Sequence, residues 1–402
     1  MAFRPEEYKE RVRRACEAMP RHGLDGIVVS GDLTAALNYL YFTGHLPRDF
    51  QMQVGRPHIF VLNSNGDAAI ISLNATASTA AADSWVTDIR IYAEPFAPGI
   101  LIDTLKDLGL ASGRIGWELG SSQKMAVPVG AFLEAQRTLS SAQFLDATAL
   151  IEELRMIKSA AEIGAIKEAS RINQAALEYA FSQVGEGSTE AQACTEVMVG
   201  LVKNGANRPP VAQLLSTSSP KFRGGRGHDA RFSGGSNEPL VKGDLVFLDS
   251  GCSVEGYWSE FNRTGSIGGP TDEQIEYNRI ARQIVRQTVE DAVKPGTTFK
   301  QMLQTFFDIC EDNKVPFASY KDFTDAPFRH LCHGMGVTSS EPPYVRFNSD
   351  APLQAGMVLS VEAYYAAPDF KYANEEAVAV TENGFEWLSV PDEGIFTCGT
   401  GL

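Results

Sequence analysis

The residues best suited to chemistry are four carboxylates that occur in two pairs. A short apolar strand sequence ends on Asp249, a turn follows, and a second strand sequence carries Glu260. The same pattern returns later in the chain with Glu362 and Glu375. In each case the two acids are equidistant from the predicted centre of the turn. The sequence therefore predicts two β-hairpins, each with two acids facing each other.

The predicted turn centres fix this register. The first lies between Val254 and Glu255, and the second lies at Pro368-Asp369. Directly opposed side chains are about 5 Å apart at Cβ, where like charges repel. Paired carboxylates at this distance need a proton or a cation between them. The alternative is that each pair lies at a hairpin mouth and is simply solvated.

A histidine between the two hairpins supports the cation hypothesis. His333 stands in the segment HGMG, and Glu341-Pro342-Pro343 follows it. The potential metal ligands of the two hairpins and this histidine therefore occur along the chain in the order Asp, Glu, His, Glu, Glu. Carboxylates with one imidazole form a suitable shell for two hard divalent cations, so we predict a dinuclear centre. Its predicted ligands are Asp249, Glu260, His333, Glu362 and Glu375.

Together these motifs resemble the creatinase/prolidase ("pita-bread") family, which includes methionine and Xaa-Pro aminopeptidases, prolidases and creatinases. The resemblance implies an α+β catalytic domain, a curved antiparallel sheet backed by helices. The segment LRMIKSAAEI, from Leu154, resembles the first helix of that domain. It predicts a boundary near residue 152, with a creatinase-type N-terminal domain over 1–152 and the catalytic domain over 153–402.

The elements before this boundary predict an α/β domain. A charged amphipathic helix is expected over Pro5–Met19, and a buried strand follows Gly23. The aromatic run Asn38–Gly44 (NYLYFTG) favours a strand because aromatic residues are enriched in strands. Ser159 and Glu162 form a capping box that predicts a helix start in the second domain.

Two positions depart from the family pattern. Metallopeptidases of the family carry aspartate where this chain has Glu260, and creatinases, which work without metal, carry glutamate there. Peptidases and creatinases also place a second histidine at the position of Ser340, where it contacts the substrate carbonyl. Lyases of the family that act on dimethylsulfoniopropionate lack that histidine too. Metal occupancy and substrate class are therefore both open.

Three further residues are candidates for substrate contact or catalysis. His228, in a glycine-rich loop before the first acid, resembles a family histidine that contacts substrate or acts as a base, although a loop histidine is commonly just solvated. Arg56 in VGRP resembles a creatinase arginine that grips a substrate carboxylate in the neighbouring subunit, a role that suits bidentate guanidinium binding. The alternative for Arg56 is a surface arginine. Arg346 is a second candidate anion contact.

Composition limits the partners and the compartment. The chain has 402 residues and a formal net charge of −15, which argues against nucleic acids and anionic membranes. It shows no signal-peptide pattern and no apolar run of membrane-spanning length, so a cytoplasmic protein is expected. Six cysteines without CxxC pairing argue against a disulfide framework. The family resemblance also implies that the protein forms a homodimer.

These observations favour a hydrolase that cleaves a C–N bond in a small carboxylate-bearing substrate. Metal-activated water would supply hydroxide, and Glu362 would pass a proton to the leaving nitrogen. An oxygen-rich shell favours manganese, cobalt or iron, with zinc as an alternative. The alternative functions are an Xaa-Pro aminopeptidase or prolidase, a metal-free creatinase-like hydrolase, a dimethylsulfoniopropionate-type lyase, and a non-catalytic binding protein.

Overall fold

Two units make up the chain, Met1–Arg155 and Met156–Leu402. The structure, a computed structural model, describes residues 3–32, 36–47, 54–206, 215–218, 230–231, 238–316, 332–346, 349–367 and 370–399. In these ranges, no helix combines the length and apolar composition that a membrane crossing requires.

The first unit is a mixed α/β layer structure. Its helices and strands, in chain order, are α1 Pro5–Ala18, β1 Gly26–Gly31, α2 Leu37–Thr43, β2 His58–Asn63, β3 Ala68–Leu73, α3 Ala77–Asp83, β4 Asp88–Tyr92, α4 Pro98–Asp107, β5 Arg114–Trp117, α5 Val129–Thr138, β6 Gln143–Asp146 and α6 Thr148–Met156. Within the described part of this unit, six strands form one sheet in the order β4-β3-β2-β1-β5-β6. Strands β1, β2 and β3 pair antiparallel, and the outer pairings are parallel.

One predicted strand of this unit is wrong. The aromatic run from Asn38 to Gly44 forms helix α2 rather than a strand. Gly44 takes a left-handed conformation (φ 75°), and its amide bonds the Leu40 carbonyl to close the last turn. Tyr39 and Phe42 are fully buried in the helix. Tertiary burial of aromatic side chains therefore overrides their local strand preference.

The described part of the second unit contains two five-stranded sheets, a two-stranded sheet made of β10 (Ser253–Val254) and β11 (Tyr257–Trp258), and four long helices. Its elements are α7 Ala160–Gln183, α8 Glu190–Lys203, β7 Leu215–Ser218, β8 Ala230–Arg231, β9 Leu245–Ser250, β10 Ser253–Val254, β11 Tyr257–Trp258, β12 Phe261–Ile267, α9 Asp272–Ala292, α10 Phe299–Asp312, β13 Cys332–Gly334, β14 Glu341–Val345, β15 Val358–Ala366, β16 Lys371–Thr381, β17 Gly384–Trp387 and β18 Phe396–Cys398. In the described ranges, one sheet has the order β18-β12-β9-β7-β8 and the other β14-β13-β15-β16-β17.

Each of the four helices of this unit begins with a complete capping box. The cap residues are Ser159, Thr189, Thr271 and Thr298, and each accepts a hydrogen bond from the backbone three residues on. The capping side chains satisfy amides that the first helical turn cannot pair. The capping box predicted at Ser159 is confirmed, and local sequence sets where each helix starts.

Strand alternation gives each sheet a helix-facing side and an open side. On β9, Val246 and Leu248 pack in one apolar cluster with α7 and α8. On β15, Val361 and Ala363 pack in a second cluster with α9 and α10. Because neighbouring side chains of a strand point to opposite faces, Asp249 and Glu362 lie on the other side of their sheets. The predicted α/β domain followed by an α+β domain is confirmed.

Candidate metal centre

The second acid pair has the predicted register. In the antiparallel pairing of β15 with β16, Glu362 lies directly opposite Glu375. Ser360 lies two residues earlier on the same face, and its hydroxyl donates to Glu375 Oε1 at 2.5 Å. Two carboxylates in direct opposition repel each other unless a proton or cation is present. This hairpin therefore supplies half of the site.

The first acid pair has a different register from the one predicted. Asp249 on β9 lies opposite Asn262 on β12, not opposite Glu260. The turn is centred on Glu255 and Gly256, which have φ values of 54° and 87°. Positive φ at both central residues is typical of a tight hairpin turn, and it moves the centre by one residue. The partner of each strand residue therefore shifts by two.

A two-residue shift keeps the side chains on the same face, because strand residues alternate with period two. Glu260 consequently remains on the open face with Asp249, but in a diagonal position. A Cβ placed on Gly251 would lie only 2.3 Å from the Ser259 carbonyl oxygen, so the strands approach closely beside Glu260. The corrected hairpin still delivers both acids to the site.

The two hairpins meet along β12 and β16. The Asn262 amide donates to Glu375 Oε2 at 3.1 Å, and the buried Arg263 donates to the Glu375 backbone carbonyl at 3.2 Å. Arg263 also forms an ion pair with Glu376 at 3.0 Å. Glu375 and Glu376 point to opposite faces of β16. Glu376, whose charge Arg263 neutralises, lies on the face away from the site, and Glu375 faces the site.

His333 approaches from β13, the strand beside β15. Its Nδ1 lies 3.1 Å from the Gly334 carbonyl oxygen, which can only accept, so Nδ1 carries the proton. Nε2 then carries a lone pair that can bind a metal ion, and it lies 4.0 Å from Glu375 Oε1. This distance is too long for a hydrogen bond, but it is compatible with two atoms that bind the same metal ion. Ligand atoms of Glu260, His333 and Glu375 lie within 4.8 Å of one another.

Burial and mutual repulsion raise the pKa of every acid whose shift is resolved here. For Asp249, burial is the main cause, followed by the charges of Glu375 and Glu362. For Glu260, burial again comes first, followed by Glu375 and Asp249. Burial raises the pKa of Glu375 to about 7 although Ser360 and Asn262 lower it. Burial lowers the pKa of His333, which favours the neutral ring that binds metals.

The donor set fits divalent cations. Asp249 Oδ1 and Glu260 Oε2 are both buried and have no hydrogen-bond partner among the described residues. A buried carboxylate oxygen without a donor is costly, and a cation removes that cost. Oxygen ligands with one imidazole suit hard or borderline divalent ions. The structure thus brings all five predicted ligands to one face of the two hairpins.

The predicted substrate contacts are more dispersed. Ser340 is exposed, and Arg346 stacks over the Tyr344 ring at 5.2 Å with its Nε buried and unbonded in the described residues. Arg56, in the first unit, pairs with Glu94 at 2.8 Å. His228 lies outside the described residues. The roles of these four residues stay predictions.

The side chains that support the ligands were not among the predicted site residues. Tyr364 donates to Glu362 Oε2 at 2.5 Å, and Ser360 and Asn262 both donate to Glu375. Lys158 forms a buried ion pair with Glu341 at 2.9 Å. Period-two spacing from Glu362 marks Ser360 and Tyr364 as residues of the same strand face, so this signal was present in the sequence.

Comparison with known proteins identifies the family. Residues 164–382 match metallopeptidase family M24, and residues 11–157 match the creatinase/prolidase N-terminal domain. The chain is 24% identical to an Xaa-Pro dipeptidase of Pyrococcus horikoshii over 94% of this chain and 97% of that protein.

Solved structures of similar proteins agree. Dipeptidase PepE from Mycobacterium ulcerans has a TM-score of 0.76 at 25% identity, covering 99% of this chain and 100% of that one. Xaa-Pro dipeptidase from Bacillus anthracis has a TM-score of 0.77 at 22% identity, with 97% and 99% covered, and shows the shared fold. The predicted resemblance is confirmed. With a matching N-terminal domain, a family match over more than half of the chain and an acid cluster of metal-ligand type, this protein belongs to metallopeptidase family M24 and is a hydrolase of the creatinase/prolidase type.

Proposed function

We propose that this hydrolase cleaves the C–N bond of dipeptides and similar small substrates that carry a free carboxylate. The observation that carries the proposal is the buried cluster in which Glu260, His333 and Glu375 hold ligand atoms within 4.8 Å. The similarity to Xaa-Pro dipeptidases supports Xaa-Pro dipeptides as the first substrates to test. They were an alternative in the sequence analysis, and they are compatible with a small carboxylate-bearing substrate.

Membership of family M24 implies divalent metal ions. We place two of them on Asp249, Glu260, His333, Glu362 and Glu375. Manganese, cobalt or iron suits this oxygen-rich shell better than zinc, which prefers sulfur and nitrogen ligands. When bound, such ions supply Lewis acidity and lower the pKa of water towards neutrality.

The chain's own groups would orient the substrate and move the proton. Glu362, half-buried with one carboxylate oxygen held by Tyr364, is the candidate to carry a proton to the leaving nitrogen. His333 stays neutral and serves as a ligand through Nε2. Ser340 offers a hydroxyl but no charge to the substrate carbonyl. His228 is proposed as an additional base or substrate contact.

Recognition of the substrate carboxylate is assigned to arginine. Arg56 is the first candidate and Arg346 the second, because a guanidinium binds a carboxylate through two parallel hydrogen bonds. Arg56 forms an ion pair with Glu94, so a substrate carboxylate would take the place of the Glu94 carboxylate when it binds. The Arg346 guanidinium has a buried Nε that bonds no other group among the described residues.

The remaining assignments follow the family resemblance and the composition. We propose a cytoplasmic homodimer that does not bind nucleic acid, consistent with a net charge of −15. The functional domains are proposed to be residues 1–152 and 153–402, a boundary that lies within α6.

Metal-depleted protein tests the proposal directly. It should regain hydrolysis of Xaa-Pro dipeptides when Mn²⁺, Co²⁺ or Fe²⁺ is added, and should not cleave the same dipeptides with a C-terminal amide. Guanidino acids and lactam acids belong in the same screen. Elemental analysis of the reconstituted protein should give about two ions per chain.

Asp249→Asn is the matched variant, because it keeps the side-chain shape but removes a ligand charge. It should lose metal-dependent hydrolysis and the rise in Tm that Mn²⁺ gives the wild type. Hydrolysis that persists in chelator, in a protein without bound metal, would contradict the proposal. That outcome would favour the metal-free creatinase-like hydrolase, which the glutamate at position 260 supports.

A further inference from the structure

Tyr364 lies on β15 two residues after Glu362 and on the same face of the sheet. The partners of Glu362 and Tyr364 on β16 are Glu375 and Ala373, which lie on the same face. The Tyr364 hydroxyl donates to Glu362 Oε2 at 2.5 Å. A phenol is a neutral donor at ordinary pH and a carboxylate oxygen can only accept, so the direction of this bond is fixed.

The ring that carries this hydroxyl is held in place by packing. Tyr364 is only 8% exposed, and it belongs to an apolar cluster with Leu245 and Phe247. Leu245 and Phe247 lie on β9, the strand that also carries the predicted ligand Asp249. The phenol is therefore fixed by both hairpins, and its position does not depend on the Glu362 rotamer.

Glu362 needs such a fixed donor because its surroundings repel it. Its charge contributes to the raised pKa of both Asp249 and Glu260, so the interaction between these carboxylates is unfavourable. A carboxylate in this position lowers its energy by turning away from the other acids. The Tyr364 hydroxyl opposes this movement, because it holds Oε2 of the Glu362 carboxylate in place.

Glu375 has a comparable support. The Ser360 hydroxyl, also on the same face of β15, donates to Glu375 Oε1, and Asn262 donates to Oε2. Asp249 and Glu260 differ, since each has a buried oxygen without a partner in the described part of the chain. The β15–β16 hairpin is therefore the pre-organised half of the site, and β15 supplies a hydroxyl to each of its acids.

We propose that Tyr364 is a positioning residue of this centre, which orients the Glu362 carboxylate for a divalent ion and for the substrate. The inference rests on the proposed metal-dependent function. Groups that bond metal ligands fix their orientation, and their loss typically weakens metal affinity or activity about 10–100-fold.

The chain offers a close control. Tyr365 is the next residue, and its ring lies on the opposite face, stacked on Tyr277 of α9 at 4.8 Å between centroids. Tyr365→Phe removes the same hydroxyl one position away from the site. Both variants keep an aromatic ring, so packing is preserved in each.

The experiment compares metal-depleted wild type, Tyr364→Phe and Tyr365→Phe by calorimetric titration with Mn²⁺. Tyr364→Phe should bind at least one ion about 10–100-fold more weakly, while Tyr365→Phe should match the wild type. The visible absorption spectrum of the Co²⁺ form should change for Tyr364→Phe alone, because it reports ligand geometry. Under saturating metal, kcat should fall more than KM rises.

The possible results distinguish the positioning role of Tyr364 from the proposed metal-dependent function. Wild-type affinity and an unchanged Co²⁺ spectrum in Tyr364→Phe would overturn the positioning role while leaving the proposed function intact. A wild type that binds no divalent ion would overturn the proposed function and this inference with it. Circular dichroism and the Tm of the metal-free proteins check that both variants are folded. If Tyr364→Phe fails to fold, Tyr364→Leu with normal affinity overturns the role equally.

Discussion

At the residue scale, the acids in the cluster have pKa values that couple folding to pH. Burial raises the pKa of Glu375 from 4.5 to about 7, and it raises those of Asp249 and Glu260 in the same direction. An acid whose folded pKa is raised binds more protons when folded than when unfolded. Its contribution to stability is present below the unfolded pKa and is lost as the pH rises through the folded value.

The metal-free protein should therefore lose stability between pH 6.5 and 8. His333 acts in the opposite direction, since its lowered pKa reduces stability as the pH falls below about 6.5, its ordinary value. Above that pH the titration of the acids determines how stability changes with pH. Denaturant unfolding of chelator-treated protein at several pH values measures the free energy of unfolding.

Glu375→Gln provides the control for this prediction, because the amide cannot ionise and the slope should flatten. Saturating Mn²⁺ should reverse the slope in the wild type, since ions compete with protons for the same carboxylates. A metal-free protein whose stability rises from pH 6.5 to 8 would show that these acids do not share one buried environment.

At the element scale, a buried ion pair anchors the strand next to His333. Lys158 precedes α7, Glu341 begins β14, and their charged groups are 2.9 Å apart with almost no exposure. Lys158→Met leaves the carboxylate buried without its partner, so we expect a loss of about 3–5 kcal/mol in the free energy of unfolding.

Lys167→Met is the control, because Lys167 also forms an ion pair, with Glu386, but both side chains are exposed. It should change the free energy of unfolding by less than about 1 kcal/mol. The double variant Lys158→Met/Glu341→Gln should regain stability relative to Lys158→Met. Equal effects of the two single lysine variants would refute the anchoring role.

The close approach of the strands at Gly251 gives a second prediction at this scale, which concerns the hairpin of β9 and β12. A methyl group there would lie 2.3 Å from the Ser259 backbone oxygen, so Gly251→Ala must push the strands apart beside Glu260. We expect a lower Tm and weaker Mn²⁺ binding, both measured on the same preparation. Gly130→Ala, in α5 with open space at its Cβ position, should leave both unchanged. Normal metal binding in Gly251→Ala would mean that Glu260 does not depend on this register.

At the scale of the whole molecule, the proposed dimer can be tested through Arg56. If Arg56 of one subunit binds the substrate carboxylate in the site of its neighbour, Arg56→Ala should raise KM by a factor that corresponds to about 2–3 kcal/mol. Arg90→Ala is the control, because Arg90 is an ion-paired arginine of the same unit. Steady-state kinetics with an Xaa-Pro dipeptide provide the measurement.

Mixed dimers decide whether the arginine acts between subunits. A dimer of Arg56→Ala with Asp249→Asn retains one site that combines an intact metal shell with an intact Arg56 from the other subunit. Mixing the two variants should therefore restore a low KM. If mixing restores nothing although mixed dimers form, Arg56 acts within its own subunit or not at all.

The sequence by itself determined much of the local structure of this protein and predicted its candidate metal ligands. Capping residues define the starts of α7, α8, α9 and α10, and the strand–turn–strand pattern brings Glu362 opposite Glu375 because that register depends only on symmetry about the turn. The order of the acids and His333 also indicates the family. These features depend on local hydrogen bonding and on strand alternation, which short segments of sequence encode.

Only the tertiary structure decided the features that depend on backbone conformation and long-range packing. Two positive φ values at Glu255 and Gly256 moved the centre of the first turn by one residue, so the strand partners shifted by two and Asn262 replaced Glu260 opposite Asp249. Burial of aromatic rings made α2 a helix, although its composition favours a strand. The Asn262–Glu375 hydrogen bond and the Lys158–Glu341 pair join segments that are distant in sequence, and only packing specifies such contacts.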